Sequence, residues 1–501
     1  MKTRLLALCT LLAICACKAD QKKQPNVLFL FIDDYTYRAV HEMGNKQVIS
    51  PNLDKLIQEG TLFTHAYNMG SWSGAVCTAS RTMLNSGLTV WRANANRKNW
   101  HEGDSLARAH TWAQLMQNAG YDTYMSGKWH VDIPAADIFE QAEHVRPGMP
   151  KDFWNGKQVN EAINKYKKKP LNTSQMDMPK GYNRPLSEND DSWSPTDTSN
   201  GGFWAGGKHW SEVLKDDAEN FIDQAAQKQK PFFMYLAFNA VHDPRQAPQK
   251  YQDLYDVDKI EIPESFQADY PYHEEIGVGP RLRDEMLAPF PRTELAIKTH
   301  LKEYYALISH LDDQIGEILQ HLEEKGLREN TVIFLTADHG LAIGRHGLLG
   351  KQNMYDHSMR VPLLVAGSGI PKNKKIDEDV YLQDIMPTAL DLTGKGVPDF
   401  VEFKSLMPLI HDQQGEAHLN GVYGAYLRLQ RMIRKDGYKL IVYPKVHKVL
   451  LFDLKNDPNE MHDLSDNEES RTKIESLFKD LKQMQVDLDD ELNIGSVEDY
   501  F

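Results

Sequence analysis

Several runs of the chain are apolar at consecutive positions instead of alternating ones, and most of them stop at charged or imidazole side chains. Residues 26–32 (Asn-Val-Leu-Phe-Leu-Phe-Ile) end in Asp33-Asp34, and residues 121–125 lead to Ser126-Gly-Lys128-Trp-His130. Residues 231–241 end in His242, residues 331–337 end in Asp338-His339, and a shorter run covers residues 363–366. Runs without alternation predict strands buried on both faces, the signature of a mainly parallel sheet covered by helices. Between them come helical patterns. Leu53, Leu56 and Ile57 precede Gly60; Trp112, Leu115, Met116 and Ala119 precede Gly120; apolar positions from Leu301 to Leu322 keep helical spacing up to Gly326. The long helix is read as packing alone.

From about residue 132 to 215 the periodicity fades into Gly, Pro, Asn and Asp, with Trp154, Trp193, Trp204 and Trp210 among charged residues. This stretch reads as loops and short helices. Exposed tryptophans beside charges suit stacking on sugar rings, so the stretch, together with residues 94–101, is a candidate substrate wall; a plain surface insertion is the other reading. Beyond about residue 410, residues 422–427, 431–434 and 438–443 predict antiparallel strands around the turn Lys435-Asp-Gly437, followed by an amphipathic helix through Ile474, Leu477, Leu481 and Met484. The predicted architecture is therefore α/β: a large, mainly parallel sheet sandwiched by helices, and a small C-terminal α+β subdomain with an antiparallel sheet. The boundaries read as 1–24 for a leader and tether, 25–410 for the catalytic domain and 411–501 for the subdomain.

Composition refines this picture in two places. Lys2 and Arg4 before an apolar run to Ala16 predict a secretory leader, too short to span a bilayer. Ile14-Cys15-Ala16-Cys17 has the form of a bacterial lipobox, which predicts an exported protein in the periplasm or outer membrane of a Gram-negative bacterium, with a lipid anchor at Cys17; cleavage nearby without lipidation is the other reading. With the leader removed, Cys77 is the one cysteine left and no disulfide framework exists. The formal charge of -14 argues against nucleic acid as a partner.

The candidate chemistry gathers at the ends of the apolar runs. In an open α/β sheet, ligands bind beyond the carboxyl ends of the strands, and adjacent carboxylates such as Asp33-Asp34 repel unless a cation compensates them. Oxygen ligands of this kind suit Ca²⁺ or Mg²⁺. Residues 78–86 followed by Gly87 predict a short helix, which sets Cys77 at an N-terminus where anions are favoured and Arg81 one turn along. Taken alone, a buried free cysteine beside a surface arginine explains this stretch equally well.

Cys77-Thr78-Ala79-Ser80-Arg81 resembles the signature of the formylglycine-dependent sulfatases of the alkaline phosphatase superfamily, with Ala79 as the less common third residue. The resemblance continues in order through Asp33-Asp34, Gly127-Lys128-Trp-His130, His242, Asp338-His339 and Lys351, and the His form at 339 is similar to the iduronate-sulfatase-like branch of bacterial polysaccharide sulfatases. It implies that Cys77 is oxidised to formylglycine (3-oxoalanine) by a formylglycine-generating maturation enzyme. It implies a divalent metal, Ca²⁺ in preference to Mg²⁺, held by Asp33, Asp34, residue 77, Asp338 and His339. It also implies roles for Arg81, Lys128 and Lys351 around the sulfate, for His242 at the leaving group and for His130 in releasing sulfate. A sulfated polysaccharide or its oligosaccharides is the expected substrate. A phosphodiesterase or phosphonate monoester hydrolase of the same superfamily, or a lipoprotein that only binds sulfated glycans, are the alternatives.

Overall fold

The computed structural model describes residues 24–148, 156–166, 178–413, 415 and 417–501. The leader, the candidate lipidation site at Cys17 and Trp154 lie outside the described residues. The strands are β1 (Asn26–Ile32), β2 (Gly60–Tyr67), β3 (Gly70–Ser71), β4 (Asp122–Lys128), β5 (Gln141–Arg146), β6 (Phe232–Ala237), β7 (Thr331–Ala337), β8 (Arg360–Gly367), β9 (Lys374–Tyr381), β10 (Val422–Tyr426), β11 (Gln430–Lys435), β12 (Tyr438–Tyr443) and β13 (Lys448–Asp453).

Eight of them form one sheet in the order β5-β4-β6-β1-β7-β8-β2-β9. All run the same way except β8, which pairs antiparallel with both β7 and β2. The apolar runs end up where their pattern predicts: β1, β4, β6 and β7 are buried at every position, because helices cover both faces. The helix Glu294–Glu324 packs with Pro51–Gln58 and Trp210–Ala226, while Val76–Ser86 packs with Trp112–Asn118 and Ile385–Leu392. β1 lies in the middle, and Ile32 is in register with Ala337. Asp33 and Asp338 therefore leave the sheet side by side.

Two elements differ from the expectation for residues 132–215. β5 is an edge strand with exposed polar positions (Gln-Ala-Glu-His-Val-Arg), so it carries no apolar run, and Trp210–Ala226 is a full helix that buries Val213, Leu214, Phe221 and Ile222. The tryptophans there are also less available than expected. Trp193 lies under the Arg184 guanidinium, and Trp210 lies between Arg146 and Trp204; both are buried, and of the three described only Trp204 is exposed.

The second sheet has the order β13-β12-β11-β10-β3. Its hairpin turn uses Asp436 and Gly437, both with positive φ, as a tight two-residue connection requires. The fifth strand is not C-terminal: β3 comes from the segment ahead of Cys77, with Gly70 opposite Ala425 and Ser71 opposite Tyr426. Gly70 has no substitute here, since a Cβ would fall 1.8 Å from the Ala425 carbonyl oxygen.

Candidate active site

The helix Val76–Ser86 starts beside the carboxyl ends of β1, β4 and β7, and Gly87 in the left-handed region terminates it. Cys77, its second residue, is buried; Sγ is 3.2 Å from His339 Nε2 and 3.6 Å from Lys128 Nζ. One turn on, Arg81 is fully buried. Its Nε donates to Asp338 Oδ2 at 3.0 Å, its Nη1 donates to the Lys128 carbonyl at 2.6 Å, and its guanidinium lies over the Phe31 ring.

Asp33 is ion-paired with Lys128, and Asp34 accepts from Lys351 Nζ at 2.8 and 2.9 Å. Asp34 takes a positive φ of 59°, and its backbone is tied down on both sides: its N–H donates to Asp338 Oδ1, and Tyr304 Oη donates to its carbonyl at 2.6 Å. Tyr304 also accepts from the Thr36 N–H. The long helix is thus more than packing, because this hydroxyl holds the turn that aims Asp34.

His339 Nε2 faces the cluster, 3.3 Å from Asp34 Oδ1 and 3.5 Å from Asp338 Oδ1, while its Nδ1 is 3.0 Å from the Gly340 carbonyl. That is the second contact a metal-ligating imidazole normally makes. Ligand atoms of Asp33, Cys77, Asp338 and His339 all lie within 4.8 Å of one another, as do those of Asp34, Cys77 and His242. Asp33 Oδ1 is buried without a hydrogen-bond partner. Three converging carboxylates, one pre-oriented imidazole and an orphaned carboxylate oxygen fit a divalent cation.

The electrostatics reflect the crowding. Burial and Asp338 push Asp33 up, but Lys128, His242 and Arg81 outweigh them and hold it below the usual carboxylate range. Burial, reinforced by Asp33, pushes Asp34 well above it despite Lys351 and His339. Burial alone would lower His339, yet Asp338, the thiol and Asp34 raise it to about 9. Burial, then Lys128 and Arg81, depress His130 to about 3.

All the site residues named from the sequence come together. His130 sits in the left-handed region, its carbonyl accepts from Thr78 Oγ1, and Gly148 passes so close that a Cβ there would meet its ring at 2.7 Å. His242 Nε2 lies 3.8 Å from Asp34 Oδ2. The sequence reading missed Asp243, Arg283, Asp284 and Gln352, which pack behind His242 and Lys351. Asp243 could have been noticed as the residue after His242; Arg283 and Asp284 stand at the start of the 3-10 helix Asp284–Leu287, which is too short to leave a periodic signal. On the candidate wall, residues 94–101 belong to the helix Val90–His101, and Arg97 pairs with Asp132 and lies over the Trp72 ring.

A mainly parallel sheet that collects carboxylates, two lysines, an arginine and three imidazoles around one helix N-terminus defines an alkaline-phosphatase-like hydrolase of an anionic, tetrahedral ester group. The sulfatase family model matches residues 25–395, and the model described as N-sulphoglucosamine sulphohydrolase, C-terminal, matches residues 344–487. The chain belongs to the sulfatase family and is a hydrolase of sulfate esters. It is 28% identical to a sulfatase of Formosa agariphila over 98% of this chain and 94% of that one, and 26% identical to an N-acetylglucosamine-6-O-sulfatase of Bacteroides thetaiotaomicron over 95% and 89%. A structure solved in complex with D-glucosamine-2-N,6-O-disulfate shares the fold, with a TM-score of 0.69, 21% identity and coverage of 94% of this chain and 99% of that one. A phosphonate monoester hydrolase of Agrobacterium radiobacter does so with a TM-score of 0.66, 19% identity and coverage of 93% and 96%.

Proposed function

We propose that this sulfatase removes sulfate from a sulfated polysaccharide or its oligosaccharides, using formylglycine made from Cys77. One observation carries the reading: Cys77 stands at a helix start with Lys128 and His339 against its Sγ, Arg81 one turn along on Asp338, and Lys351 and His242 both on the neighbouring Asp34. Relatives named for a sugar sulfatase, and a fold neighbour holding a disulfated glucosamine, support the carbohydrate class. The metal is Ca²⁺ in this proposal, preferred over Mg²⁺ by the family resemblance alone; Asp33, Asp34, Asp338, His339 and residue 77 would hold it, and their mostly oxygen ligands suit a hard cation. When bound, the cation lowers the pKa of a hydroxyl on the hydrated residue 77 and so makes it nucleophilic.

The chain's own residues do the rest. Lys128 and Lys351 place ammonium groups against the sulfuryl oxygens, whose negative charge persists throughout transfer. Arg81 fixes the Asp338 carboxylate and the end of β4 together. His242 donates from Nε2 to the departing alkoxide oxygen, with Lys351 assisting. Burial and the cations Lys351 and Lys128 hold His242 well below its ordinary pKa; an incoming sulfate ester supplies the opposite charge and favours the protonated ring. His130, kept neutral by burial and by Lys128 and Arg81, is the base that takes the proton whose removal frees sulfate.

Export and lipidation at Cys17 belong to the same proposal, supported by the leader's charge pattern and lipobox. Peptide mass spectrometry of active protein tests the core of it: residue 77 should have the mass of an aldehyde, and unmodified cysteine in fully active material would reject the mechanism. Faster turnover of an aryl phosphonate or phosphodiester than of the matching aryl sulfate would favour the phosphonate hydrolase reading instead.

A further inference from the structure

Behind the leaving-group side of the site, one guanidinium touches two carboxylates, and each carboxylate touches one of the two side chains given roles there. Arg283 grips Asp243 with both Nη atoms, at 3.0 Å from Nη2 to Oδ1 and closer from Nη1 to Oδ2, and Nη2 also reaches Asp284 Oδ1 at 2.5 Å. Asp243 faces His242: its carbonyl oxygen is 2.7 Å and its Oδ1 3.3 Å from Nδ1. Asp284 Oδ2 is 3.8 Å from Lys351 Nζ and accepts from Gln352 Nε2 at 2.8 Å. Gln352 Nε2 also donates to the Gly74 carbonyl, three residues before Cys77. The result is a continuous arc, His242, Asp243, Arg283, Asp284, Lys351.

Both carboxylates are buried and Arg283 is only 23% exposed. Burying such charges costs desolvation that their pairing scarcely returns, so the arc is poorly explained as a stabilising device. Its geometry explains it better. A planar guanidinium fork fixes the direction as well as the distance of what it binds, which an ammonium cannot do. With oxygens of Asp243 around Nδ1, His242 carries its Nδ1 proton toward Asp243 and turns Nε2 into the site.

We infer that Arg283 is a positioning residue: it sets the separation and orientation of His242 and Lys351 through one carboxylate each. This rests on the leaving-group roles proposed above. The test is a series of aryl sulfates from 4-nitrophenyl, which hardly needs a proton on departure, to 4-methoxyphenyl, which needs one more. Rates are normalised to the formylglycine content of each protein: the wild type, Arg283→Gln, Arg283→Lys, Arg283→Gly and His242→Ala. Misplacing the acid should cost Arg283→Gln up to about 10²-fold in kcat on the poor leaving group and less than about threefold on the good one, with KM nearly unchanged. His242→Ala should steepen the series in the same sense. Because the comparison is a ratio within one preparation, partial misfolding cancels. Arg283→Lys should recover less than half of the lost rate, and guanidinium ion added to Arg283→Gly should restore the 4-methoxyphenyl rate selectively. Equal losses across the series, or a lysine variant indistinguishable from wild type, would overturn the inference. Wild-type protein that carries formylglycine yet cleaves none of these sulfates would instead sink the functional reading.

Discussion

Replacing Arg81 by Met offers a quantitative test of the charge balance around Asp338. The side chain is fully buried, and Met reproduces most of its aliphatic stem, so the cavity left is small. What is lost is the 3.0 Å bond to Asp338, the 2.6 Å bond to the Lys128 carbonyl and the contact with Phe31. Hydrogen bonds to charged groups contribute about 1.5–3 kcal/mol each, and removing one partner of a buried ion pair costs about 3–5 kcal/mol. Asp338 is not wholly abandoned, since the Asp34 and His339 N–H groups still donate to its Oδ1 at 3.1 Å. A loss of about 3–5 kcal/mol is therefore expected for metal-free protein in chelator, read from equilibrium urea unfolding by tryptophan fluorescence. With saturating Ca²⁺ the carboxylate has a second counter-charge, and the loss should shrink to about 1.5–3 kcal/mol, the share of the bond to the Lys128 carbonyl. By linkage, Arg81→Met should then bind Ca²⁺ more tightly than wild type does in calorimetry. A loss that is equal or larger with Ca²⁺ would show that Asp338 does not face the cation.

Further outcomes follow from other parts of the site and its surroundings. Asp33→Ala, or chelation of wild type, should abolish turnover, with Ca²⁺ restoring more activity than Mg²⁺ in metal add-back; activity surviving both treatments would remove the metal assignment. In Gly340→Ala the new Cβ would fall 2.2 Å from the His357 carbonyl oxygen, so the loop that orients His339 must shift; metal affinity should drop by about 10–100-fold in calorimetry. Glu460 shares Lys439 with Asp356, and burial, partly offset by Lys439 and reinforced by Asp356, raises it from 4.5 to about 7. A carboxyl raised in the folded state gives stability that is fully present below its unfolded pKa and is lost as pH rises toward about 7. Glu460→Gln should flatten the decline of stability across that window; an unchanged pH slope in denaturant titrations would refute it.

What the chain reveals before folding depends on how each element is stabilised. Buried strands such as β1 and β7 need apolar residues on both faces, so their runs stand out and their polar ends mark the site. β5 has an exposed side, and its stability comes from pairing with β4, which leaves no periodic trace. Trp193 and Trp210 depart from the expectation for a related reason: the guanidiniums stacked on the rings belong to Arg184 and Arg146, not to the charged residues beside them in sequence, and this packing buries them. Two links of the arc, Arg283 to Asp243 and Asp284 to Lys351, join residues 40 or more positions apart. Such contacts are made only when loops close, whereas Cys77 and Arg81, one helical turn apart, were legible from spacing.

The strand β3 has a consequence for when Cys77 can be reached. The finished fold hides its thiol, and one anchor of the segment ahead of it is the pairing of Gly70 and Ser71 with Ala425 and Tyr426. Those partners are synthesised some 350 residues later. Until β10 has emerged, β3 lacks this pairing, and the segment ahead of Cys77 is held by fewer contacts than in the finished fold. Arrival of the C-terminal sheet ends that interval, so under the function proposed above the order of synthesis would set when residue 77 can be converted. Chains truncated before β10 should keep Cys77 reactive toward thiol reagents, while the full chain should protect it.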